Sequence, residues 1–210
     1  MLENVEVLCH ATIKINKRKV IYFDPYKVDK EYHDADIIMI THSHYDHFSE
    51  EDIQKVRKEN TKIVITEDLY ERTKELGFKD EGILKVIPNQ SYNIEEIPIK
   101  TIPSYNTNKQ FHPKENNWVG YLIEINGVTY YIAGDTDVTE ENRSIKCDVA
   151  FVPVGGTYTM TAEEAAELVN TIKPKVTVPI HYGSLVGTKQ DAEVFRKNLN
   201  NDIECKILMN

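Results

Sequence analysis

The fold is decided by one stretch, Asp36-Ile37-Ile38-Met39-Ile40 followed at once by Thr41-His42-Ser43-His44-Tyr45-Asp46-His47. Its first part is a nearly continuous apolar run, typical of a buried strand. Its second part places three imidazoles and a carboxylate within six positions, although the 210-residue chain has seven histidines in all. Neutral imidazole and carboxylate oxygen both suit Zn²⁺ and related divalent ions. The stretch predicts a metal-binding loop; the alternative, a polar loop whose histidines bond only to backbone, does not explain their density.

The spacing within this loop predicts which ligands act together. His42 and His44 project from one side if the strand runs straight on, whereas Asp46 and His47 lie beyond a turn and reach a second position. Further ligands must come from distant segments that also follow strands, and Gly134-Asp135-Thr136 and His181-Tyr182-Gly183 both do so. Open α/β sheets build sites at such strand ends. Taken singly, Asp135 reads equally well as a turn or cap residue, and His181 as an ordinary loop histidine.

Outward from this loop, short β-branched runs alternate with amphipathic segments, which predicts an α/β architecture. Because no low-complexity or Pro/Gly linker divides the chain, we expect one domain over residues 1–210. The predicted helices cover residues 50–60, 68–76, 162–173 and 190–199, the third opened by a Thr161–Glu164 capping box and ended by Pro174. The predicted strands cover residues 5–8, 20–23, 36–40, 62–66, 83–87, 97–102, 119–125, 128–133, 149–154, 175–180 and 204–208. Asn126-Gly127 predicts a type I′ hairpin.

Composition excludes several classes of function. The net charge is −9, from 25 Lys+Arg and 34 Asp+Glu, without a basic run, so nucleic-acid binding is disfavoured. The acidic N-terminus is unlike a signal peptide, and no apolar run approaches the ~20 residues of a membrane span. Cys9, Cys147 and Cys205 stand far apart, which indicates neither disulfides nor a cysteine zinc site. We therefore predict a cytoplasmic protein with no membrane or nucleic-acid partner; its oligomeric state is open.

The order of these motifs, HxHxDH after a strand, then GDT, then a late histidine, resembles the metallo-β-lactamase superfamily. Four further stretches make the chain similar to its L-ascorbate-6-phosphate lactonase and N-acyl-phosphatidylethanolamine phospholipase D branch: Cys9-His10-Ala11-Thr12, Phe23-Asp24-Pro25, Trp118-Val119-Gly120-Tyr121 and Pro153-Val154-Gly155-Gly156. The resemblance implies a four-layer αββα sandwich of the metallo-β-lactamase type. It also implies one or two divalent ions, zinc first with manganese or iron as alternatives, held by His42, His44, Asp46, His47, Asp135 and His181.

The resemblance also bears on the residues around these ligands. Asp24 matches a carboxylate that orients an imidazole, an alternative to its reading as an Asp-Pro turn former. His10 matches a histidine near the active site, but a lone histidine on an apolar strand favours a core role over coordination. Asn106 stands where relatives carry a metal-binding histidine. Six residues later, His112 is either its substitute or an exposed loop residue. We also expect Tyr182 to line the pocket.

The resulting hypothesis is a hydrolase in which a metal-bound hydroxide attacks a small ester, lactone or phosphodiester. Asp46 and Asp135 are the predicted catalytic carboxylates, holding or orienting the nucleophile, with Asp46 a general base if one ion binds. The irregular stretch 104–118 carries Lys109 and Lys114, which suit an anionic small-molecule substrate and equally a solvated loop. The alternative is a non-catalytic metal- and ligand-binding protein whose first metal site is degenerate, a hypothesis that Asn106 keeps open.

Overall fold

The computed structural model describes residues 1–209. The chain forms two compact units, one over Leu2–Ile87 and the other from Pro88 onward together with Met1. We call them the amino-terminal and carboxyl-terminal units. The expected single domain over residues 1–210 stays a prediction, and its last residue, Asn210, lies outside the described residues. Within residues 1–209, no helix is both long enough and apolar enough to cross a bilayer.

The amino-terminal unit is built on a mixed sheet with strand order β1-β2-β3-β4-β5-β6. Its strands are β1 (Val5–Cys9), β2 (Thr12–Asn16), β3 (Val20–Phe23), β4 (Ala35–Met39), β5 (Arg57–Thr66) and β6 (Ile83–Val86). The first three are antiparallel, and β3 to β6 run parallel. Helices α1 (Glu50–Val56) and α2 (Tyr70–Glu75) accompany the sheet. Because β2 is antiparallel to β3, the β1–β2 turn lies at the same sheet edge as the ends of β3 and β4.

One predicted helix is shorter than its sequence suggests. Ser49 caps α1 as expected, but the helix ends at Val56 rather than near Asn60. From Arg57 the chain is extended and pairs with β4 as β5. The Arg57 guanidinium donates to the carbonyls of Leu76 and Gly77 and lies 3.9 Å from the Phe78 ring centroid. Sheet pairing and this tertiary contact outweigh the local helical tendency of residues 57–60.

The carboxyl-terminal unit holds a mixed sheet with strand order β13-β12-β11-β10-β9-β8-β7. Its strands are β7 (Ser91–Ile94), β8 (Ile97–Pro103), β9 (Val119–Ile125), β10 (Val128–Ile132), β11 (Val149–Pro153), β12 (Val176–Ile180) and β13 (Glu204–Cys205). Strands β7 to β10 are antiparallel, and β10 to β13 run parallel. Helices α3 (Ala162–Ile172) and α4 (Lys189–Lys197) bury their apolar faces in the core of this unit. Short 3₁₀ turns occur in both units at Glu67–Leu69, Asp80–Gly82, Lys114–Asn116 and Asn142–Ser144.

Local signals that depend on a few neighbouring residues match the structure. Asn126 and Gly127 have φ values of 52° and 73°, the paired positive angles that a type I′ hairpin needs. Thr161 and Glu164 form the reciprocal capping box at the start of α3. The sequence does not predict two of the strands, β2 and β7, because it marks no clear boundary for either segment. The predicted α/β class is confirmed by mixed sheets with flanking helices.

Candidate metal centre

In the amino-terminal unit, histidines and carboxylates gather at the edge where β3 and β4 end. We define the amino-terminal cluster as His10, Asp24, His42, His44, Asp46 and His47. Parallel pairing of β3 and β4 brings Asp24 beside the loop that follows β4, and the β1–β2 turn brings His10 to the same edge. All six are buried except His44, which is half-buried. The sheet topology thus assembles residues 37 positions apart in sequence, from His10 to His47.

The Asp24 carboxylate lies next to His47 Nδ1 and determines which ring nitrogen of His47 carries the proton. The His47 Nδ1–H donates to Asp24 Oδ2 at 2.8 Å, because an ionised carboxylate can only accept. The same carboxylate accepts from the Thr41 backbone N–H at 2.8 Å and from the Thr41 hydroxyl at 2.7 Å. His47 Nε2 then carries a lone pair, and it lies 3.6 Å from Asp46 Oδ2. This arrangement, a carboxylate behind an imidazole, is the one that fixes tautomer and orientation in metal-ligating histidines.

Asp46 is the carboxylate shared by two histidines of this cluster. Its Oδ2 is 3.1 Å from His10 Nε2, and His10, Asp46 and His47 each offer a ligand atom within 4.8 Å of the other two. The sequence favoured a core role for His10, and the side chain is fully buried, but its ring nitrogen faces a carboxylate. Tetrahedral ligands of a zinc ion lie about 3.3 to 3.6 Å apart, given Zn–N and Zn–O bonds of roughly 2.0–2.2 Å. The 3.6 Å separation of Asp46 Oδ2 and His47 Nε2 fits two ligand atoms of such an ion.

His42 and His44 form a second pair in the same cluster. His42 Nε2 lies 3.1 Å from His44 Nδ1. On its other side, His42 Nδ1 is 3.0 Å from the Thr41 hydroxyl, which already donates to Asp24. Since that hydroxyl has given its proton away, it accepts from His42 Nδ1–H. His42 Nε2 is then unprotonated and can act as a metal ligand on the side of the ring that faces His44.

In the carboxyl-terminal unit, a smaller group forms where parallel strands end. We define the carboxyl-terminal cluster as His112, Asp135 and His181. Asp135 follows β10 and His181 follows β12, two strands separated by β11 in one parallel array. Asp135 Oδ2 lies 3.0 Å from His181 Nε2 and 3.3 Å from His112 Nε2. All three side chains are at most 4 % exposed, and their spacing again fits ligands of one ion.

The loop histidine His112 is buried rather than exposed. It is 1 % accessible, and its ring packs edge-on against Trp118 with centroids 5.7 Å apart. Asn106, at the position where the resemblance expects a histidine, is half-buried and contacts His112 rather than Asp135. The alternative of an exposed loop histidine is therefore not what the structure adopts.

Three cluster residues have left-handed backbone conformations. The φ values are 55° at His10, 45° at Asp24 and 60° at His181. Such angles are uncommon outside glycine, cost roughly 1–3 kcal/mol each and gather at functional sites. At His181 the surroundings are tight, because a Cβ added to Gly155 would stand 2.4 Å from the His181 carbonyl oxygen. Gly155 is thus required for the close approach that holds His181.

Other residues expected near the pocket serve the scaffold. Tyr182 is buried in the apolar core with Phe195 and Ala192, and burial raises the pKa of its hydroxyl to about 12. It follows His181 directly and packs into the core. Lys109 Nζ pairs with Asp137 at 2.7 Å, and Lys114 Nζ pairs with Glu141 at 2.8 Å.

These pairs anchor the loop over residues 104–118, whose two lysines suit, from the sequence, either an anionic substrate or a solvated surface loop. The buried Asp137 also accepts the backbone N–H of Thr107, and Tyr105 donates its hydroxyl to Glu141 at 2.8 Å. The hydrogen bond from Lys114 to Glu141 is the main reason that the pKa of Lys114 is raised. Sequence reasoning missed Asp137; its signal was the second carboxylate in Gly134-Asp135-Thr136-Asp137.

Comparison with known proteins identifies the family. A model described as the beta-lactamase superfamily domain matches residues 4–181, most of the chain. The chain belongs to the metallo-β-lactamase superfamily. Within this superfamily it belongs to the UPF0173 metal-dependent hydrolase family. Its relative of that name from Thermococcus kodakarensis is 31 % identical over 217 residues, covering 97 % of this chain and 95 % of the relative.

Solved structures of related proteins agree with this assignment of the chain. A provisionally named metal-dependent hydrolase from Parabacteroides distasonis has a TM-score of 0.81 and 28 % identity, covering 97 % of this chain and 91 % of that one. A provisionally named zinc-dependent hydrolase of the superfamily from Thermotoga maritima has a TM-score of 0.64 at 19 % identity, covering 98 % and 97 %. The predicted metallo-β-lactamase fold, two mixed sheets with flanking helices, is confirmed.

Proposed function

We propose that this superfamily member is a metal-dependent hydrolase of a small ester, lactone or phosphodiester. The observation that carries the proposal is a buried carboxylate beside an imidazole of the proposed ligand set in each cluster. Asp46 Oδ2 lies 3.6 Å from His47 Nε2, and Asp135 Oδ2 lies 3.0 Å from His181 Nε2. Buried carboxylates and neutral imidazoles at these separations suit a divalent ion.

The proposed ligands are His42, His44, Asp46, His47, Asp135 and His181. Their order along the chain, matching the superfamily's motifs, supports this set. Zinc is our first candidate because imidazole and carboxylate are ligands that it prefers, and the Thermotoga maritima neighbour is named as zinc-dependent. Manganese and iron accept the same donors. One or two ions are compatible with this ligand count.

The protein's own residues prepare the reaction by fixing proton positions. When bound, a divalent ion lowers the pKa of a coordinated water and polarises the substrate oxygen. Asp24 and Thr41 hold the protons on the Nδ1 atoms of His47 and His42, which keeps the Nε2 lone pairs available. His10 Nε2–H donates to Asp46 and so orients that carboxylate. Asp46 is our candidate to accept the proton of the attacking water, because it is ionisable, buried and held in place.

The substrate class is drawn from the resemblance and from charge. The lactonase and phospholipase D branch acts on a lactone and a phosphodiester, which makes these the first substrates to test. A net charge of −9 supports a small-molecule partner over nucleic acid. The three cysteines, Cys9, Cys147 and Cys205, form no disulfide, which supports a reducing compartment such as the cytoplasm.

The decisive experiment measures metal content and chelator-sensitive turnover on generic lactone, ester and phosphodiester substrates. We expect the His44→Ala variant to lose at least about 100-fold in kcat/KM, since loss of a partner outside the ligand shell already costs 10–100-fold. His33→Asn is the matched control, because His33 is an exposed histidine with a left-handed backbone that asparagine tolerates. Unchanged turnover in His44→Ala contradicts the proposal. Bound metal without chelator-sensitive turnover on any class favours the binding-protein alternative.

A further inference from the structure

Large apolar side chains are exposed on three loops near the carboxyl-terminal cluster. Phe111, in the loop after β8, is 48 % exposed, and Tyr158 after β11 and Leu185 after β12 are each 38 % exposed. Among residues 88–209, these are the large apolar side chains that stand open to solvent. Single exposed apolar residues are ordinary on a protein surface, but their concentration on the loops around one cluster indicates a binding surface.

Two of these side chains, Phe111 and Tyr158, pack against each other. Their ring centroids are 4.6 Å apart and the ring planes meet at 88°, the edge-to-face geometry that aromatic rings favour. We call this pair the aromatic rim. Both side chains keep more than a third of their surface exposed. A further aromatic ring can therefore pack against the aromatic rim, and such a contact is favourable beyond the area that it buries.

Hydrogen bonds at Asn106 hold the aromatic rim beside the cluster. The Asn106 backbone N–H donates to the His112 carbonyl at 2.8 Å, and the His112 backbone N–H donates to Asn106 Oδ1 at 3.0 Å. Asn106 Nδ2 donates to the Tyr158 carbonyl at 3.0 Å, so this brace joins the loop of Phe111 to the segment of Tyr158. Because a backbone N–H can only donate and a carbonyl can only accept, these contacts fix the orientation of the amide. His112, the next residue after Phe111, has its Nε2 3.3 Å from Asp135 Oδ2, which places the aromatic rim at the edge of the cluster.

The loops around the cluster offer few cations to a substrate. The loops that carry or adjoin it cover residues 104–118, 133–141, 154–160 and 182–187. Together they contain two lysines and no arginine. Lys109 pairs with the buried Asp137 at 2.7 Å, and Lys114 pairs with Glu141 at 2.8 Å, so both lysines of these described loops already have acidic partners. An anionic substrate group must break one of these ion pairs to gain a cationic side chain here, whereas an uncharged aromatic group contacts the aromatic rim without that cost.

We propose that the aromatic rim binds an aromatic ring of the substrate, and that the preferred substrate is an uncharged ester or lactone that carries such a ring. This inference rests on the proposed function and selects among its substrate classes. Phe111 and Tyr158 determine specificity and take no part in bond cleavage. Because their contacts with the ring are the same before and during the reaction, they lower KM more than they raise kcat.

The test compares phenethyl acetate with ethyl acetate in the purified, full-length, metal-loaded protein. The two esters share the acetyl group and a primary alcohol as leaving group, and they differ by one phenyl ring. We expect kcat/KM for phenethyl acetate to exceed that for ethyl acetate by about 10-fold, with most of the difference in KM. Phe111→Ala and Tyr158→Ala should each lower this ratio by about 2- to 10-fold, the range for one aromatic pair.

Two further variants serve as controls. Gln110→Ala changes an exposed residue next to Phe111 in the same loop and should keep the wild-type ratio. Tyr158→Phe keeps the ring and removes only the hydroxyl, so its ratio should exceed that of Tyr158→Ala. A ratio near one in the wild-type protein, or an unchanged ratio in both alanine variants, overturns the inference. Metal-dependent turnover of both esters then leaves the proposed function standing.

A second measurement does not depend on turnover. Phenethyl alcohol, a product of the reaction, is titrated into the wild-type protein while the aromatic ¹H–¹³C resonances of Phe111 and Tyr158 are followed, with ethanol as the control. Saturable shifts with phenethyl alcohol alone support the ring-binding role of the aromatic rim, even if no ester, lactone or phosphodiester is hydrolysed and the proposed function falls. Unshifted rings overturn the inference. So does a dimer in sedimentation velocity that Phe111→Ala dissociates without changing the kcat/KM ratio, since the aromatic rim is then a contact between two copies.

Discussion

At the scale of single residues, the hydrogen-bond partner of one ring nitrogen of a histidine determines whether the other ring nitrogen keeps the lone pair that can bind a metal. The Nδ1–H of His47 donates to Asp24, that of His42 donates to Thr41, and that of His112 donates to Asn106. Each acceptor is of a different chemical kind, yet each leaves Nε2 with its lone pair. Because metal-bound histidines commonly have such an acceptor on the other ring nitrogen, this pattern supports the proposed role of His42 and His47 as ligands.

Replacing Asp24 with asparagine tests this idea at one position. Asparagine keeps the shape and tolerates the left-handed backbone, but its NH₂ cannot accept from the three donors of His47 and Thr41. We expect Asp24→Asn to lower zinc affinity by about 10- to 100-fold, measured by chelator competition. The exposed Asp29, changed in the same way, provides the control. Equal affinities for Asp24→Asn and Asp29→Asn would remove Asp24 from its orienting role.

At the scale of elements, strand ends place the proposed ligands, and close backbone approach holds one of them, His181. The Gly155 residue after β11 touches the His181 carbonyl after β12, and a Cβ there would come within 2.4 Å of that oxygen and 3.4 Å of the His181 Nδ1. The sequence places Gly155 in a stretch that resembles the superfamily. In the structure, the missing side chain of this glycine makes room for the His181 backbone.

Gly155→Ala should therefore displace His181 and weaken metal binding, although alanine is small and apolar. We expect reduced zinc stoichiometry by elemental analysis, together with a lower midpoint of thermal unfolding. Gly82→Ala makes a suitable comparison, since a Cβ at Gly82 would lie 3.8 Å from its nearest neighbour, an ordinary contact. Full zinc content in Gly155→Ala would contradict this prediction, because the connection between β11 and β12 would then adjust without displacing His181.

The elements also show what sequence reasoning reaches. Asn126-Gly127 and the Thr161 capping box were predictable because a few adjacent residues specify them. The end of α1 was not, because the pairing of Arg57 with Ala35 depends on a residue 22 positions earlier in the chain. The orientation of His112 was also out of reach, since it depends on which way the Asn106 amide turns within a folded loop. The sequence of the loop contains both residues, but no sequence pattern predicts the hydrogen bonds between them.

At the scale of the whole molecule, buried and half-buried carboxylates link strands to one another. Asp148 lies just before β11, accepts the backbone N–H and the hydroxyl of Thr129 at 2.9 Å each, and pairs with Lys175 at 2.8 Å. The ion pair with Lys175, followed by the bonds from Thr129, lowers the pKa of Asp148 to about 2. Three neighbouring parts of the carboxyl-terminal sheet thus depend on one ionised group.

This lowered pKa gives the stability a predictable pH dependence. The unfolded chain takes up the Asp148 proton near its ordinary pKa of about 3.9, whereas the folded chain resists until about pH 2. The stabilisation is therefore complete above the ordinary pKa and is lost as the pH falls toward 2. Urea unfolding of the metal-free protein should show Asp148→Asn less stable than wild type at neutral pH, with the gap closing in acid. A gap that persists at pH 2, or one equally large for the exposed Asp202→Asn, would contradict this.

The brace at Asn106 has an evolutionary consequence. Asn106 and Asp137 hold the base of the loop through hydrogen bonds, while Gln110 and Phe111 are exposed at its tip. Mutations at the tip can therefore change the size and hydrophobicity of the exposed surface near His112 while the hydrogen bonds at the base are kept. Laboratory evolution that randomises Gln110 and Phe111 alone can thus vary this surface on an otherwise intact scaffold.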